Sequence, residues 1–118
     1  MTLPAPDPHC LFCRIVSGEI PAQVLAEGET TVAFRDIEPQ APVHFLVVPR
    51  SHYPDAASLG EAEPATVADL VATAAQVASA EGVDSYRLVF NTGADANQTV
   101  FHAHLHVLGG RSLTWPPG

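Results

Sequence analysis

Residues 102–108 read HAHLHVL, in which imidazole and apolar side chains alternate without a break. Extended backbone repeats every two residues, so a strand here sends His102, His104 and His106 to one face and Ala103, Leu105 and Val107 to the other. The apolar set can pack into a core. The three imidazoles are hard to account for as packing. Each buried ring must find hydrogen-bond partners, and each is a potential base, nucleophile or metal ligand. The expected strand runs from Phe101 to Leu108 and stops at Gly109-Gly110.

Other runs supply the remaining strands. Ala22–Glu27 and Thr30–Asp36 are β-prone segments joined around Gly28-Glu29, which reads as a hairpin. His44–Pro49 (HFLVVP) is continuously apolar after its histidine, as a central buried strand requires. Tyr86–Asn91 (YRLVFN) is a further strand. Cys10–Ser17 suits a short helix stopped by Gly18. A long helix is expected between Glu61 and Glu81, with Val67, Leu70, Val71, Ala74 and Ala78 on one apolar stripe and Pro64 tolerated only in the first turn. Residues 37–42, 50–60 and 92–99 read as loops or turns. This order argues for an α+β fold with a mostly antiparallel five-stranded sheet, one long helix and one short helix.

The 118 residues, 47% hydrophobic and 15% charged, fit one globular domain over 1–118, with a Pro-rich tail at 1–9 and a second irregular tail at 110–118. The net charge is −8, and all five basic residues are arginine. That balance argues against broad binding to a nucleic-acid backbone, and there is no basic amphipathic helix for anionic lipid. A small anion would have to be held by backbone N–H groups and histidines. Met1–Cys10 has no apolar run, no stretch approaches the roughly 20 apolar residues of a membrane span, and Cys10 and Cys13 are the only cysteines. The expectation is a cytoplasmic chain without a disulfide scaffold. Cys10 and Cys13 together with two distant histidines make a plausible tetrahedral zinc set, with a vacant thiol pair or a redox C-x-x-C as the rivals.

The alternating histidines resemble the motif that names the histidine-triad (HIT) family. CLFCRIVSGEIPA, AFRDIEPQAPVHFLVVPRSH, NTGADANQTVFHAHLHVLGGR and the closing TWPP agree with it, so the resemblance runs from about Cys10 to Pro117. The WPP ending is similar to the Hint branch, and the C-x-x-C to its bacterial, zinc-binding members.

The resemblance implies a nucleotide hydrolase or nucleotidyl transferase acting on a purine nucleotide or nucleoside phosphoramidate, with a nucleotide- or partner-binding dimer of incidental catalysis, or a hydrolase of dinucleoside polyphosphates, as the alternatives. The middle triad histidine, His104, would attack the α-phosphorus and form a nucleotidyl-imidazole that water then hydrolyses. His44 would orient its hydrogen bonds, His102 and His106 would complete the catalytic set, and Thr99, where relatives carry serine, would assist the leaving group. Phe34, Asp36, Ile37, Asn91, Gln98, Thr99, His104 and His106 would bind the nucleotide. Asp36 would accept the ribose hydroxyls, while Phe34 and Ile37 could equally be core. Ala96 and Asn97 replace glycines of the relatives, leaving the backbone less free near phosphate. Zinc would be structural, on Cys10, Cys13, His52 and His102, with His9 as a competing ligand, and no organic cofactor is implied. The family also implies a two-fold homodimer in which Trp115 reaches the partner's site, unless that ring caps its own domain.

Overall fold

The computed structural model describes residues 7–118, so most of the expected N-terminal tail, residues 1–6, lies outside the described residues. Elements follow in the order α1 (Leu11–Val16), β1 (Val24–Glu27), β2 (Thr31–Arg35), β3 (Val43–Pro49), α2 (Ala56–Ala62), α3 (Pro64–Ala80), β4 (Tyr86–Phe90) and β5 (Leu105–Gly109), with a 3-10 turn at Ala94–Ala96. The five strands form one sheet in the order β1-β2-β3-β5-β4, and every neighbouring pair is antiparallel. The α+β fold and its antiparallel sheet match the sequence reading. Residues 110–118 carry no regular element, as their prolines require. Among the described residues no helix is long and apolar enough to cross a membrane.

The sheet buries both faces at its centre. Ala33, Phe45, Val47, Leu105 and Val107 point to one side, where Leu59, Leu70, Ala74, Val77 and Ala78 of the two longer helices cover them. Val32, Phe34, Leu46 and Val48 point to the other side and meet Cys10, Phe12 and Cys13 of the α1 region. This two-sided burial explains why β3 is an unbroken apolar run. Its single polar member, His44, shares the α1 side of the sheet with Leu46 and Val48 by the two-residue repeat.

Three expectations need correction. The helical region divides into two helices, making three in all, and α2 starts inside the stretch expected to be turns. Asp55 caps it by accepting from Ser58 N–H at 2.8 Å, and the Ser58 hydroxyl is within 3.4 Å of Asp55 N–H. Glu63 leaves helical geometry (φ −137°, ψ 67°) before Pro64, which opens α3 at its first position. Second, the apolar stripe of α3 runs through Leu70, Ala74, Val77 and Ala78, while Val71 is 43% exposed.

Third, the last strand begins at Leu105, four residues later than expected. Upstream of it, Ala103 N–H turns to Tyr53 O at 2.7 Å instead of joining the ladder. The in-out alternation survives this departure, because Ala103 stays in the helix-side core while His104 meets Phe12 on the other side.

Candidate active site

The triad segment divides its histidines between two clusters. His106 lies in β5 opposite Leu46, and His44 lies in β3 opposite Leu108. The two rings are therefore diagonal neighbours on one sheet face, close enough for direct contact. His44 Nε2 stands 2.9 Å from His106 Nδ1. His104 and His102 precede the ladder, and the peeled-off backbone carries His102 toward the α1 region and His52.

The hydrogen bonds assign the protons. Gln40 N–H donates to His44 Nδ1 at 3.0 Å, so the neutral ring carries its hydrogen on Nε2. That hydrogen donates to His106 Nδ1, which leaves the His106 proton on Nε2. Asp36 Oδ2 lies 3.5 Å from His44 Nε2 and 3.9 Å from His106 Nδ1, while its Oδ1 accepts Glu38 N–H at 2.8 Å. Asp36 is thus part of the histidine cluster. His104 Nδ1–H donates to the carbonyl oxygen of His102 at 2.8 Å, so His104 Nε2 keeps its lone pair. The His104 ring packs edge-on to Phe12, centroids 4.9 Å apart, and 5.0 Å from the His106 ring.

Burial holds the rings neutral. It lowers the pKa of His44 and of His104, against the opposing pull of Asp36. His106 is pushed down to about 4, by burial first and by its histidine neighbours second. A neutral imidazole with a fixed Nδ1–H and a free Nε2 is a nucleophile at neutral pH.

The second cluster joins Cys10, Cys13, His52 and His102, whose donor atoms all lie within 4.8 Å of one another. His102 Nδ1 is 3.4 Å from both sulfurs and 3.1 Å from His52 Nδ1, and Cys13 Sγ is 3.3 Å from His52 Nδ1. A tetrahedral zinc with ordinary Zn–N and Zn–S bonds sets donor separations of about 3.4–3.8 Å, so the residues fit such an ion with little adjustment. His102 Nε2 donates to Pro49 O at 2.8 Å, which turns the unprotonated Nδ1 toward the cysteines, an outer contact typical of a metal-bound histidine. Burial pushes the Cys13 thiol up to about 11, the opposite of what a redox thiolate needs. His9 is exposed and outside the group.

Asp36, His44 and His106 also bring three donor atoms together. Their hydrogen bonds oppose a metal there: with Gln40 N–H on Nδ1, His44 would have to become an imidazolate to offer Nε2. The two clusters are thus chemically distinct, one a donor cage and the other a hydrogen-bonded histidine pair beside a carboxylate.

The remaining predicted residues are spread around this centre. His102 Nδ1 faces the donor cage and Nε2 is spent on Pro49 O, so its hydrogen bond to His104 is made through its carbonyl. Phe34 is buried against Phe12, centroids 5.6 Å apart, and is core. Ile37 is 95% exposed and is not core. The Gln98 amide is spent on its own surroundings, accepting Gly93 N–H and donating to Pro54 O and Val100 O. Asn91 is half-buried just beyond β4. Thr99 lines a cavity of about 490 Å³ with Cys10, His52 and Phe101, and its hydroxyl bonds no other described residue. Asn97 adopts the left-handed conformation (φ 66°), which asparagine tolerates, so this departure from glycine is accommodated. Trp115 is 81% exposed, with the Arg87 guanidinium 6.0 Å from its ring centroid, so it does not cap its own domain. Sequence reasoning missed Gln40, Phe12 and Pro49, two of which act through backbone atoms that leave no mark in residue type.

Comparison with known proteins gives the family of the chain. A model of the HIT domain matches residues 17–113. An uncharacterized HIT-like protein of Synechocystis is 44% identical over 109 residues, covering 92% of this chain and 96% of the relative. The crystal structure of a HIT family hydrolase from Legionella pneumophila superposes with a TM-score of 0.89 at 46% identity, covering 93% of this chain and all of that one. A histidine triad protein from Clostridium difficile gives 0.89 at 35% identity, covering 93% and 97%. The match of domain, sequence and fold over nearly the full length means that the chain belongs to the HIT family.

Proposed function

We propose that this chain is a hydrolase that uses His104 as a nucleophile on the α-phosphorus of a purine nucleoside phosphoramidate. The observation that carries the reading is the 2.8 Å hydrogen bond from His104 Nδ1 to His102 O, which leaves Nε2 unprotonated. Proteins from Legionella pneumophila and Clostridium thermocellum with this fold are described as HIT family hydrolases, which supports a hydrolytic chemistry.

In the first step His104 Nε2 attacks phosphorus, the P–N bond breaks, and the amine leaves with a proton taken from solvent, which the attacking water returns in the second step. His106 Nε2–H is placed to donate to a phosphoryl oxygen as charge builds there. In the second step water attacks phosphorus, the bond to Nε2 breaks, and the nucleoside 5′-monophosphate departs. Asp36 and Ile37 edge the nucleoside side, and Thr99 is the hydroxyl proposed at the leaving group. A zinc ion on Cys10, Cys13, His52 and His102 would neutralise the two sulfurs and hold the His102 backbone that orients the nucleophile.

The chain would work as a homodimer. β4 is an edge strand with Tyr86 and Leu88 partly exposed, and Trp115 projects into solvent, so the apolar material for a two-fold contact lies on this side.

Intact-protein mass measurement after mixing with adenosine 5′-phosphoramidate tests the reaction. Wild type should turn the compound over or carry a nucleotidyl adduct, and His104→Ala should do neither while still folded. Two inert, folded, nucleotide-binding proteins would favour a binding role. Turnover of a dinucleoside polyphosphate alone would move the leaving group but keep the nucleophile.

A further inference from the structure

Gln40 N–H sets the proton positions of both His44 and His106, yet it comes from a loop, residues 36–42, that belongs to no strand. The start of that loop is tied to β3 by Asp36 N–H, which donates to His44 O at 3.1 Å, and three further contacts shape the rest. Asp36 accepts Glu38 N–H, the Gln40 side chain donates to Glu38 O at 3.0 Å, and Arg111 Nη2 donates to Gln40 O at 3.0 Å. Apart from His44, Arg111 is the only hydrogen-bond partner from outside the loop that Gln40 has among the described residues.

Arg111 is aimed by the corner that ends β5. Gly110 has φ +87°, and a Cβ there would stand 3.0 Å from Pro42 Cβ and 3.4 Å from Val43 N. The chain thus turns tightly over the end of the loop and delivers the guanidinium to Gln40. Arg14 and Arg35 each pair with a carboxylate, Glu19 and Glu81, but Arg111 has no such partner among the described residues and donates to backbone carbonyls, Gln40 O and Ser112 O. Arg87 gives the contrast: it lines one cleft with Arg111, Tyr86 and Leu113, but it donates to Thr114 O and makes no hydrogen bond to the loop.

We propose that Arg111 is a positioning residue for the proposed hydrolase, holding the Gln40 N–H on His44 Nδ1 and so keeping the His44–His106 relay in one tautomer. The effect passes through geometry: Gln40 O belongs to the 40–41 peptide, so releasing it frees Gln40 to turn its N–H away from His44, which can then carry its proton on either nitrogen. This rests on the hydrolase reading only for its kinetic consequence. The tautomer itself is observable in the absence of any substrate.

Nitrogen-15 NMR of the histidine rings in the full chain separates the two. In wild type at neutral pH, His44 should show a pyridine-like Nδ1 and a pyrrole-like Nε2. In Arg111→Ala these two shifts should move toward each other, and Arg111→Lys should restore part of the difference. Arg87→Ala should leave them unchanged. With a phosphoramidate substrate, kcat of Arg111→Ala should fall on the order of 10-fold with little change in KM. Gln40→Pro, which deletes the N–H outright, is the second route to the same spectral change. Wild-type-like His44 shifts in folded Arg111→Ala would overturn the proposal, and so would equal changes in Arg87→Ala. Altered shifts with no turnover by any variant, wild type included, would leave Arg111 in its role and count against the hydrolase.

Discussion

His104 Nδ1 lies 2.8 Å from the carbonyl oxygen of His102, whose own ring faces Cys10 and Cys13 at 3.4 Å. One residue thus faces two sites, its imidazole in the donor cage and its carbonyl on the proposed nucleophile. A metal held in the cage would be coupled to the orientation of His104 through a single stretch of backbone.

Metal removal should lower stability before it lowers chemistry. Treating the protein with a strong chelator, or substituting Cys13→Ser, should drop the melting temperature by several degrees, because a structural site contributes folding free energy. Activity assayed well below the new melting temperature should fall only in part. An immediate and complete loss with an unchanged melting temperature would point instead to a metal acting in the reaction.

His104→Ala should reduce turnover by on the order of 10⁴-fold or more, since a covalent nucleophile has no substitute in the site. The lost ring leaves His102 O without its donor and should cost about 1–2 kcal/mol of stability. Circular dichroism and urea unfolding, run beside the kinetics, separate the two effects.

The relay histidines make the fold sensitive to acid. His106 titrates near 4 in the folded chain against 6.5 for the free side chain, and His44 is shifted in the same direction. Between those values the unfolded chain binds more protons, so this contribution is intact above about pH 6.5 and declines as pH falls toward 4. For His106 the loss should reach about 2 kcal/mol by pH 5. Urea unfolding at pH 7 and pH 5 should therefore show a smaller drop for His106→Gln than for wild type. Equal drops would contradict the assignment.

Phe12 supplies the wall against which His104 is set. Phe12→Ala should cost about 3–5 kcal/mol by opening a cavity on the α1 side of the sheet. Because the nucleophile's ring is freed as well, kcat should fall more than KM rises. A stability loss with unchanged kcat would show that the backbone bond alone orients His104.

The proposed dimer can be challenged at its edge. Leu88→Arg places a charge on β4, where Leu88 is 37% exposed, and should give a monomer by sedimentation velocity. A wild-type monomer at micromolar concentration would remove the dimer from the reading.

The sequence by itself determined the strand register around the triad. HAHLHVL can be extended in only one way that buries Ala103, Leu105 and Val107, and the period of two then collects the histidines on the other face. The buried run of β3 and the C-x-x-C were legible for similar reasons, because each depends on side-chain type at fixed spacing, whereas His52 and His102 were assigned to the cysteines by the family resemblance. Residue type could not say which histidine would do which task. His102, His104 and His106 look equivalent in sequence, and they were separated by what stands opposite each: Pro49 O and the cysteines, His102 O, and His44. Two of these partners, Pro49 O and His102 O, are backbone groups brought near by the fold, and backbone atoms are the same in every residue. The choice of His52 over His9, the early departure of the chain from the β5 ladder, and the hold of Arg111 on Gln40 were likewise decided by tertiary structure, because each depends on a distance between segments far apart in the chain.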